Sequence, residues 1–245
     1  VPVGTTLVAL IAPHVAQQAG WQSMTLPVLA LLAATFVLSL PGLRYVELTD
    51  GNLGHGLWGA LKRRGVRPVL GRINLTGVDR ETDLDLPTLL SADASANLKA
   101  VDVGETRLPN TKVRAFATSG FMGRASEIGL TRCHVNAKTM TALAKASAPQ
   151  LRVLKLGETG LHTTGVRALC AADWCANLTH LDLMRNYLDD DALIELAGCG
   201  KFTNLRSLDL RVNSPDLADD CKSEIGDRGV MALAAAPSLS RLRHL

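Results

Sequence analysis

Residues 178–188 read LTHLDLMRNYL, and this stretch decides the fold because its pattern recurs along nearly the whole chain. The shared frame is L-x-x-L-x-L-x-x-N-x-L, in which Cys or Thr also occupies the asparagine position. Seven copies begin at Leu43, Leu70, Leu98, Ala125, Leu151, Leu178 and Leu205. The starts lie 26 to 28 residues apart, and repetition at such a constant period indicates one structural unit stacked many times.

Each copy contains a strand followed by a helix. Leu181 and Leu183 alternate with polar residues, so they face one side of a short strand while His180 and Asp182 face the other. The apolar spacing then changes to three, the spacing of one helix face. Stacking such units predicts an α/β solenoid of about eight repeats, with a parallel sheet on the concave face and helices on the convex face.

The start of each helix carries its own signal. Thr163, Asp190 and Asp227 occupy the same slot, two residues after the last apolar residue of the loop. Because Thr and Asp side chains accept hydrogen bonds from unpaired backbone N–H groups, we predict that these three residues are helix N-caps.

Domain boundaries follow from the repeat register. Residues 1–25 are expected to form an N-terminal cap helix and a degenerate repeat, and residues 26–245 the solenoid, with an insertion at 214–224. The start at Val1 and the end part-way through a repeat frame predict a processed or trimmed fragment. Residues 26–43 carry no charge, but Pro27 and Pro41 interrupt them and they fit the repeat register, so no membrane insertion is expected.

Composition narrows the functional classes. The net charge of +3 is too small for a general nucleic-acid binder, which would need a concentrated basic face. The five cysteines form no C-x-x-C pair, and Cys133 falls in the asparagine slot of its repeat. We predict a small, buried, reduced thiol there and therefore a cytoplasmic location.

These segments resemble the leucine-rich repeat family. LRSLDLRVN (205–213), LTHLDLMRN (178–186) and LRVLKLGET (151–159) match its strand half. IGDRGVMALA (225–234) and LHTTGVRALC (161–170) match the helical half of its ribonuclease-inhibitor-like and cysteine-containing subtypes, and the style is similar to bacterial repeat arrays. The resemblance implies a horseshoe that binds protein partners on its concave strand face.

A row of residues between the strand leucines is the first candidate binding surface. This central column comprises Glu47, Asn74, Asp102, Gly129, Lys155, Asp182 and Asp209, and four of the seven are acidic. A ligand over it would carry basic groups, with Tyr45, His180 and Met184 as anchors and Arg211 at the margin. The alternative is that strand residues facing water are simply polar and offset one another's charge.

The insertion is the second candidate surface. It carries Asp216, Asp219 and Asp220, and stacking would place them near Asp189 of the preceding repeat. Such an acidic edge could contact a partner or hold a hard cation such as Ca²⁺, although the spacing differs from that of known calcium loops. The alternative is a solvated, flexible loop.

Catalytic patterns are missing from the sequence. The glycine-rich stretch GNLGHGLWG (51–59) lacks the lysine of a phosphate-binding loop. Cys170 and Cys175, with His162 and His180 nearby in sequence, match no common zinc spacing, so we interpret these cysteines as ordinary buried thiols. We expect no enzymatic activity, no cofactor and no metal.

The sequence therefore predicts a non-enzymatic scaffold that binds an unidentified protein partner through its concave face. One alternative is a substrate-targeting or regulatory module of a larger enzyme, such as a ligase-type effector or a kinase. A second is a GTPase-activating solenoid. A third is a structural array that associates with itself through its open C-terminal edge.

Overall fold

The computed structural model describes residues 45–47, 71–77, 86–90, 97–213 and 224–245. Several sequence predictions lie outside these ranges. They are the N-terminal cap (1–25), the charge-free segment (26–43), the glycine-rich stretch (51–59) and most of the insertion (214–223).

Seven parallel strands form one sheet within the described ranges. They are β1 (Tyr45–Glu47), β2 (Arg72–Asn74), β3 (Ala100–Asp102), β4 (Glu127–Gly129), β5 (Val153–Lys155), β6 (His180–Asp182) and β7 (Ser207–Asp209). Each strand pairs with the next along the chain, and His244 adds one further parallel bridge, to Ser207. The expected parallel sheet is confirmed, whereas the horseshoe curvature and the total of about eight repeats stay predictions.

Helices connect the strands on one side of the sheet. They are α1 (Leu86–Leu90), α2 (Asn110–Val113), α3 (Ala115–Thr118), α4 (Ala137–Lys145), α5 (His162–Cys170), α6 (Asp190–Gly198) and α7 (Asp227–Ala235). Short 3-10 turns cover Phe121–Gly123, Asp173–Asn177 and Pro237–Leu239. From α4 to α7, each helix packs against the next, as expected for stacked repeats.

The core lies between the sheet and the helices. The middle residue of each strand from β2 to β7 is buried, and so are the helix residues spaced by three, such as Leu193 and Leu196. Each buried leucine stabilises the fold by about 1.5–3 kcal/mol. The same spacing of three would place Val230 in this layer, but Val230 is 51% exposed on α7, the last described helix.

Buried polar side chains join consecutive repeats at the end of each strand. Asn186 donates to the carbonyl oxygen of Leu156, and its own oxygen accepts from the backbone N–H groups of Thr159 and Leu161. Asn213 forms the same kind of bonds one repeat later. Cys133 fills the equivalent slot as a buried free thiol that donates to the preceding repeat, so that prediction is confirmed.

The residue before this polar slot adopts a left-handed backbone in five consecutive repeats. These residues are Glu105, Arg132, Glu158, Arg185 and Val212, with φ between 54° and 61°. Arg132 forms ion pairs with Glu105 at 3.3 Å and with Glu158 at 2.9 Å. Since L-residues avoid this conformation, the neighbouring polar ladder must hold it in place.

The predicted N-caps are wrong by one position. Asp189, not Asp190, caps α6, because its carboxylate accepts the backbone N–H of Ala192 at 2.9 Å. Asp190 instead reaches the next repeat and accepts the N–H groups of Gly226 and Gly229 at 2.7 and 2.9 Å. The slot identified from the sequence therefore serves the neighbouring helix, α7, rather than its own.

The other two predicted caps are also wrong. Thr163 lies inside α5 and donates its hydroxyl to the carboxylate of Asp189 in the next repeat. Asp227 is the first residue of α7, whose N-cap is Gly226. Because stacking places the helix starts side by side, a polar residue at this slot reaches its neighbour's cap more readily than its own N–H groups.

Candidate functional site

The face of the sheet opposite the helices, called the open face below, carries the residues on either side of each buried strand centre. The strand register aligns Glu47, Asn74, Asp102, Gly129, Lys155, Asp182 and Asp209 in one row. This is the central column predicted from the repeat, so its members are neighbours in space. Their role in binding stays a prediction.

A charge cluster occupies the open face from β2 to β5, formed by Arg72, Asp102, Glu127 and Lys155. Arg72 pairs with Glu127, and Lys155 pairs with Asp102 at 2.9 Å and with Glu127 at 3.1 Å. Burial by itself lowers the pKa of Lys155, but its hydrogen bonds and ion pairs to these two carboxylates outweigh burial and raise it. Asp102 is therefore neutralised within the chain rather than presented to a ligand.

Two members of this cluster, Arg72 and Glu127, were not identified as site residues from the sequence. Arg72 and Glu127 stand two positions before the central column, in the same row as Tyr45 and His180. Glu127 is almost fully buried, which is unusual for a carboxylate and is explained by its two cationic partners. The strict alternation of strand residues was the signal that could have identified this second row.

Gly129 makes the cluster possible. A Cβ atom at this position would lie 2.2 Å from the carboxyl carbon of Asp102. The carboxylate of Asp102 thus lies across the glycine and reaches Lys155, whose strand is two away from its own. For this half of the open face, the structure supports the alternative in which polar strand residues offset one another.

The other half, from β5 to β7, has a different electrostatic character. Asp209 forms a bidentate ion pair with Arg211, which lowers the pKa of Asp209. Asp182 accepts the backbone N–H of Met184 at 2.9 Å but forms no ion pair with any described residue. Burial raises the pKa of Asp182 more than that hydrogen bond lowers it.

A shallow depression of about 300 Å³ surrounds this carboxylate. Its lining includes the apolar residues Val153, Leu154 and Leu181 and the polar residues Lys155, His180, Asp182, Ser207 and Asp209. His180 is exposed, and its Nδ1 lies 2.9 Å from the hydroxyl of Thr179. The depression thus combines an apolar floor with an acidic group that forms no ion pair, although the nearby charges of Arg211 and Lys155 act to lower its pKa.

The remaining predicted site residues are less closely joined. The side chains of Tyr45 and Glu47 lie outside the described part of the structure, although their strand is described. Asn74 accepts the N–H and hydroxyl of Thr76, two residues later in its own repeat. Met184 is half-buried beside Asp182.

The acidic edge is described only in part. Asp216, Asp219 and Asp220 lie outside the described residues, and so does the candidate cation site. Asp189 is described, and both its hydrogen bonds, from Ala192 and Thr163, are structural. No group of three or more His, Cys, Asp or Glu side chains is placed to hold a metal ion within the described ranges.

An apolar groove of about 630 Å³ marks the C-terminal end of the array. Leu193, Leu233 and Leu242 line it, with the exposed side chains of Val230 and Leu245. This is the open edge at which self-association was predicted from the sequence.

Within the described ranges, no helix is both long and apolar enough to cross a membrane.

One repeat of the chain matches a known family. Residues 175–197, which include β6 and most of α6, match the family described as Leucine Rich repeat. The chain contains a leucine-rich repeat. The match covers one repeat, and the repeats that begin at Leu98, Ala125, Leu151 and Leu205 show the same order of strand, slot residue and helix in the parallel sheet.

Comparisons over the whole chain give weaker likenesses. A structure of TLR13 in complex with ssRNA13 is 15% identical with a TM-score of 0.37, over 71% of this chain and 30% of that chain. An internalin (inlF) from Listeria monocytogenes is 14% identical with a TM-score of 0.31, over 86% of this chain and 69% of that chain. The present chain thus spans about a third of the TLR13 chain. No curated protein matches the sequence.

Proposed function

We propose that this leucine-rich repeat array is a non-enzymatic scaffold that binds a protein partner on the open face, over β5 to β7. The observation that carries the proposal is the carboxylate of Asp182, which is half-buried without an ion pair beside an apolar depression. A charged group kept partly out of water without a partner destabilises the fold, and such groups concentrate at functional sites.

The chemistry of the depression favours a basic side chain from the partner. A lysine or arginine over Asp182 would supply the missing cation and strengthen the hydrogen bonding of its carboxylate. The apolar floor would pack against the stem of that side chain, because long cationic residues bury their methylene groups. His180 and Met184, at the margin, are residue types that pack well in interface cores.

The charge cluster limits where this partner can bind. Asp102, Glu127, Arg72 and Lys155 already satisfy one another, so a ligand would have to break their ion pairs to gain its own. The binding surface is therefore narrower than the full central column, and it lies on the C-terminal half of the sheet.

Affinity enrichment from a lysate of the source organism tests the proposal, with bound proteins identified by mass spectrometry. Wild type is compared with Asp182→Asn, which removes one charge and keeps the acceptor for the Met184 N–H. The matched control is Asp227→Asn, which removes one exposed charge on the helical side. A specific partner should bind wild type and the control and lose at least tenfold in affinity with Asp182→Asn.

The pH dependence gives a second readout with the same proteins. Because the pKa of Asp182 is raised, this carboxylate takes up a proton at a higher pH than an ordinary aspartate. Partner affinity should therefore fall as the solution becomes mildly acidic for wild type and for Asp227→Asn, and remain flat for Asp182→Asn. Equal capture by all three proteins at every pH would contradict the proposal.

The C-terminal groove favours a second, independent association, between two copies of the chain. Val230 and Leu245 line it and are large apolar side chains that are more than half exposed. Exposed apolar patches of this kind commonly bind other surfaces. Light scattering over a range of concentrations should show a dimer for wild type and a monomer for Val230→Glu. A monomer for wild type at every concentration would exclude it.

A further inference from the structure

Three cysteines lie together at the C-terminal ends of α5 and α6. Cys170 is the last residue of α5, Cys199 is the C-cap of α6, and Cys175 lies in the 3-10 turn Asp173–Asn177 between them in sequence. All three are free thiols. Cys170 and Cys175 are close in sequence, whereas 29 residues separate Cys199 from Cys170, so the spacing along the chain does not connect Cys199 with the other two.

Cys170 and Cys199 meet across the boundary between two repeats. The carbonyl oxygen of Glu195 accepts the backbone N–H of Cys199 at 3.0 Å and the thiol of Cys170 at 3.6 Å. The Cys170 side chain and the Cys199 backbone therefore meet at one carbonyl oxygen, at the junction of α5 and α6. Both residues are half-buried rather than enclosed, so a small solute can reach them.

The two thiols differ in acidity. The Cys170 side chain, the backbone N–H of Lys201 and the Lys201 charge all act on the Cys199 thiol. Together these lower the pKa of Cys199 to about 7. The hydrogen bond to Cys199, followed by burial, raises the pKa of Cys170.

The backbone after α6 creates this environment. Gly200 follows the C-cap with a φ of 67°, in the left-handed region that ends many helices. That turn brings the N–H of Lys201 back toward Cys199. The negative end of the helix dipole would by itself disfavour a thiolate here, so the hydrogen bonds and the lysine must outweigh it.

The other described cysteines lack these features. Cys133 and Cys175 are fully buried, and burial raises the pKa of each. Their thiols donate to backbone carbonyl oxygens, of Val103 at 3.4 Å and of Leu169 at 3.2 Å. Because a neutral, enclosed thiol is a poor nucleophile, these two residues serve as internal controls.

We propose that Cys170 and Cys199 form a redox-active dithiol that closes to a disulfide between adjacent repeats when a peroxide oxidises Cys199. The Cys199 thiolate attacks a peroxide oxygen, so an S–O bond forms, the O–O bond breaks, and the other oxygen leaves as water after taking a proton. Cys170 then attacks the resulting sulfenic acid. The S–S bond forms, the S–O bond breaks, and the hydroxyl leaves as water with the Cys170 proton.

Electrons and atoms balance in this sequence. The two thiols together lose two electrons and two protons, and hydrogen peroxide is reduced to two molecules of water. A small dithiol reductant reverses the reaction by thiol–disulfide exchange. The disulfide would join the C-terminal ends of α5 and α6 and hold these two repeats together.

Peroxide oxidation of the full chain tests the proposal, in a Cys221→Ser background because Cys221 lies outside the described residues. After treatment at pH 7 and blocking of free thiols, proteolysis and mass spectrometry should reveal a Cys170–Cys199 linked peptide, lighter by two hydrogen atoms. Cys133 and Cys175 should carry the blocking group. A folded, peroxide-treated protein without this link would overturn the proposal.

Single substitutions test which cysteine attacks the peroxide and which one then closes the disulfide. In Cys170→Ser, Cys199 should stop at the sulfenic acid, which dimedone traps. In Cys199→Ser, Cys170 should remain reduced, and in Cys175→Ala the linked peptide should form as in wild type. If dimedone labels Cys170 in the Cys199→Ser variant as fast as it labels Cys199 in the Cys170→Ser variant, Cys199 is not the preferred nucleophile and the assignment is wrong.

The rate of alkylation provides a readout that needs no substitution. Iodoacetamide should modify Cys199 with a pH profile centred near its pKa of about 7. At pH 7 its thiolate fraction should exceed that of an ordinary exposed cysteine roughly tenfold. A profile centred at the ordinary value would refute the activation of Cys199.

Discussion

Replacement of Asn186 by alanine tests whether the buried polar ladder holds the repeats together. The side chain of Asn186 is completely buried, and it links its own repeat to the preceding one. Its oxygen accepts the N–H groups of Thr159 and Leu161, both at 3.1 Å, and the Thr159 hydroxyl at 2.8 Å. Its nitrogen donates to the carbonyl oxygens of Leu156 at 2.7 Å and of Met184 at 3.1 Å.

The magnitude follows from the partners that alanine leaves behind. Two buried backbone N–H groups lose their acceptor, and each buried unsatisfied polar group costs about 1–3 kcal/mol. The Thr159 hydroxyl keeps its second bond, to Leu156, so its loss is smaller. We expect Asn186→Ala to lower the free energy of unfolding by about 3–5 kcal/mol, a large share of what a typical domain has.

Guanidinium unfolding measures this loss, with the fluorescence of Trp174 as the probe in a Trp21→Phe, Trp58→Phe background that leaves it as the single tryptophan. Trp174 is buried and donates its indole N–H to the carbonyl oxygen of Leu143, so its emission reports the intact array. The matched control is Cys133→Ala, at the same slot and the same depth, which removes only two weak hydrogen bonds of a thiol, with Val103 and Thr106. We expect a loss of about 1 kcal/mol for the control. If Asn186→Ala costs no more than the control, the ladder does not stabilise the array.

Three further substitutions have expected outcomes that thermal unfolding can check. Gly129→Ala should lower the free energy of unfolding by about 1–3 kcal/mol and break the Asp102–Lys155 ion pair, because the new Cβ overlaps the Asp102 carboxylate. An unchanged midpoint of thermal unfolding would argue against that close approach. Val212→Gly should raise stability by about 1 kcal/mol, since a β-branched residue at a φ of 55° is strained; a loss of stability would show that the side chain matters more than the strain. Asp190→Ala should lower the free energy of unfolding by about 1–2 kcal/mol, because α7 loses the carboxylate that accepts its first N–H groups. The control Asp191→Ala, at the next position with an exposed side chain, should lower it by less than about 0.5 kcal/mol. Equal losses for the two variants would contradict capping across the repeats.

The order of strands and the composition of the central column could be predicted because the repeat is nearly constant in length. When each unit has about the same number of residues, equivalent positions fall side by side, and the register of the sheet follows from the sequence alone. The burial of Leu181, Leu183 and Cys133 was predictable for the same reason. Val230 departed from the pattern, because a core position is buried only if a neighbouring repeat covers it.

The charge cluster could not be predicted in the same way. Asp102 and Lys155 are 53 residues apart, and Arg72 and Glu127 are 55 residues apart, so each pair spans two strands rather than one. Adjacent strands lie about 4.8 Å apart, and contact across two of them requires that the intervening side chain be absent or small. Gly129 meets this requirement for Asp102, but the sequence does not state which side chains bend toward it.

The sequence by itself determined the repeated unit, the parallel order of the strands and the residues that share each row, because these depend on period and alternation along one chain. Tertiary structure decided which charges in a row neutralise each other, which helix a polar residue caps, and that Cys199 meets Cys170. These outcomes depend on side-chain direction and reach between repeats, over distances of a few ångströms. A regular spacing along the chain does not encode such directions. The open face could therefore be predicted as a surface, whereas Asp182 could be distinguished from Asp102 and Asp209 only in the folded protein.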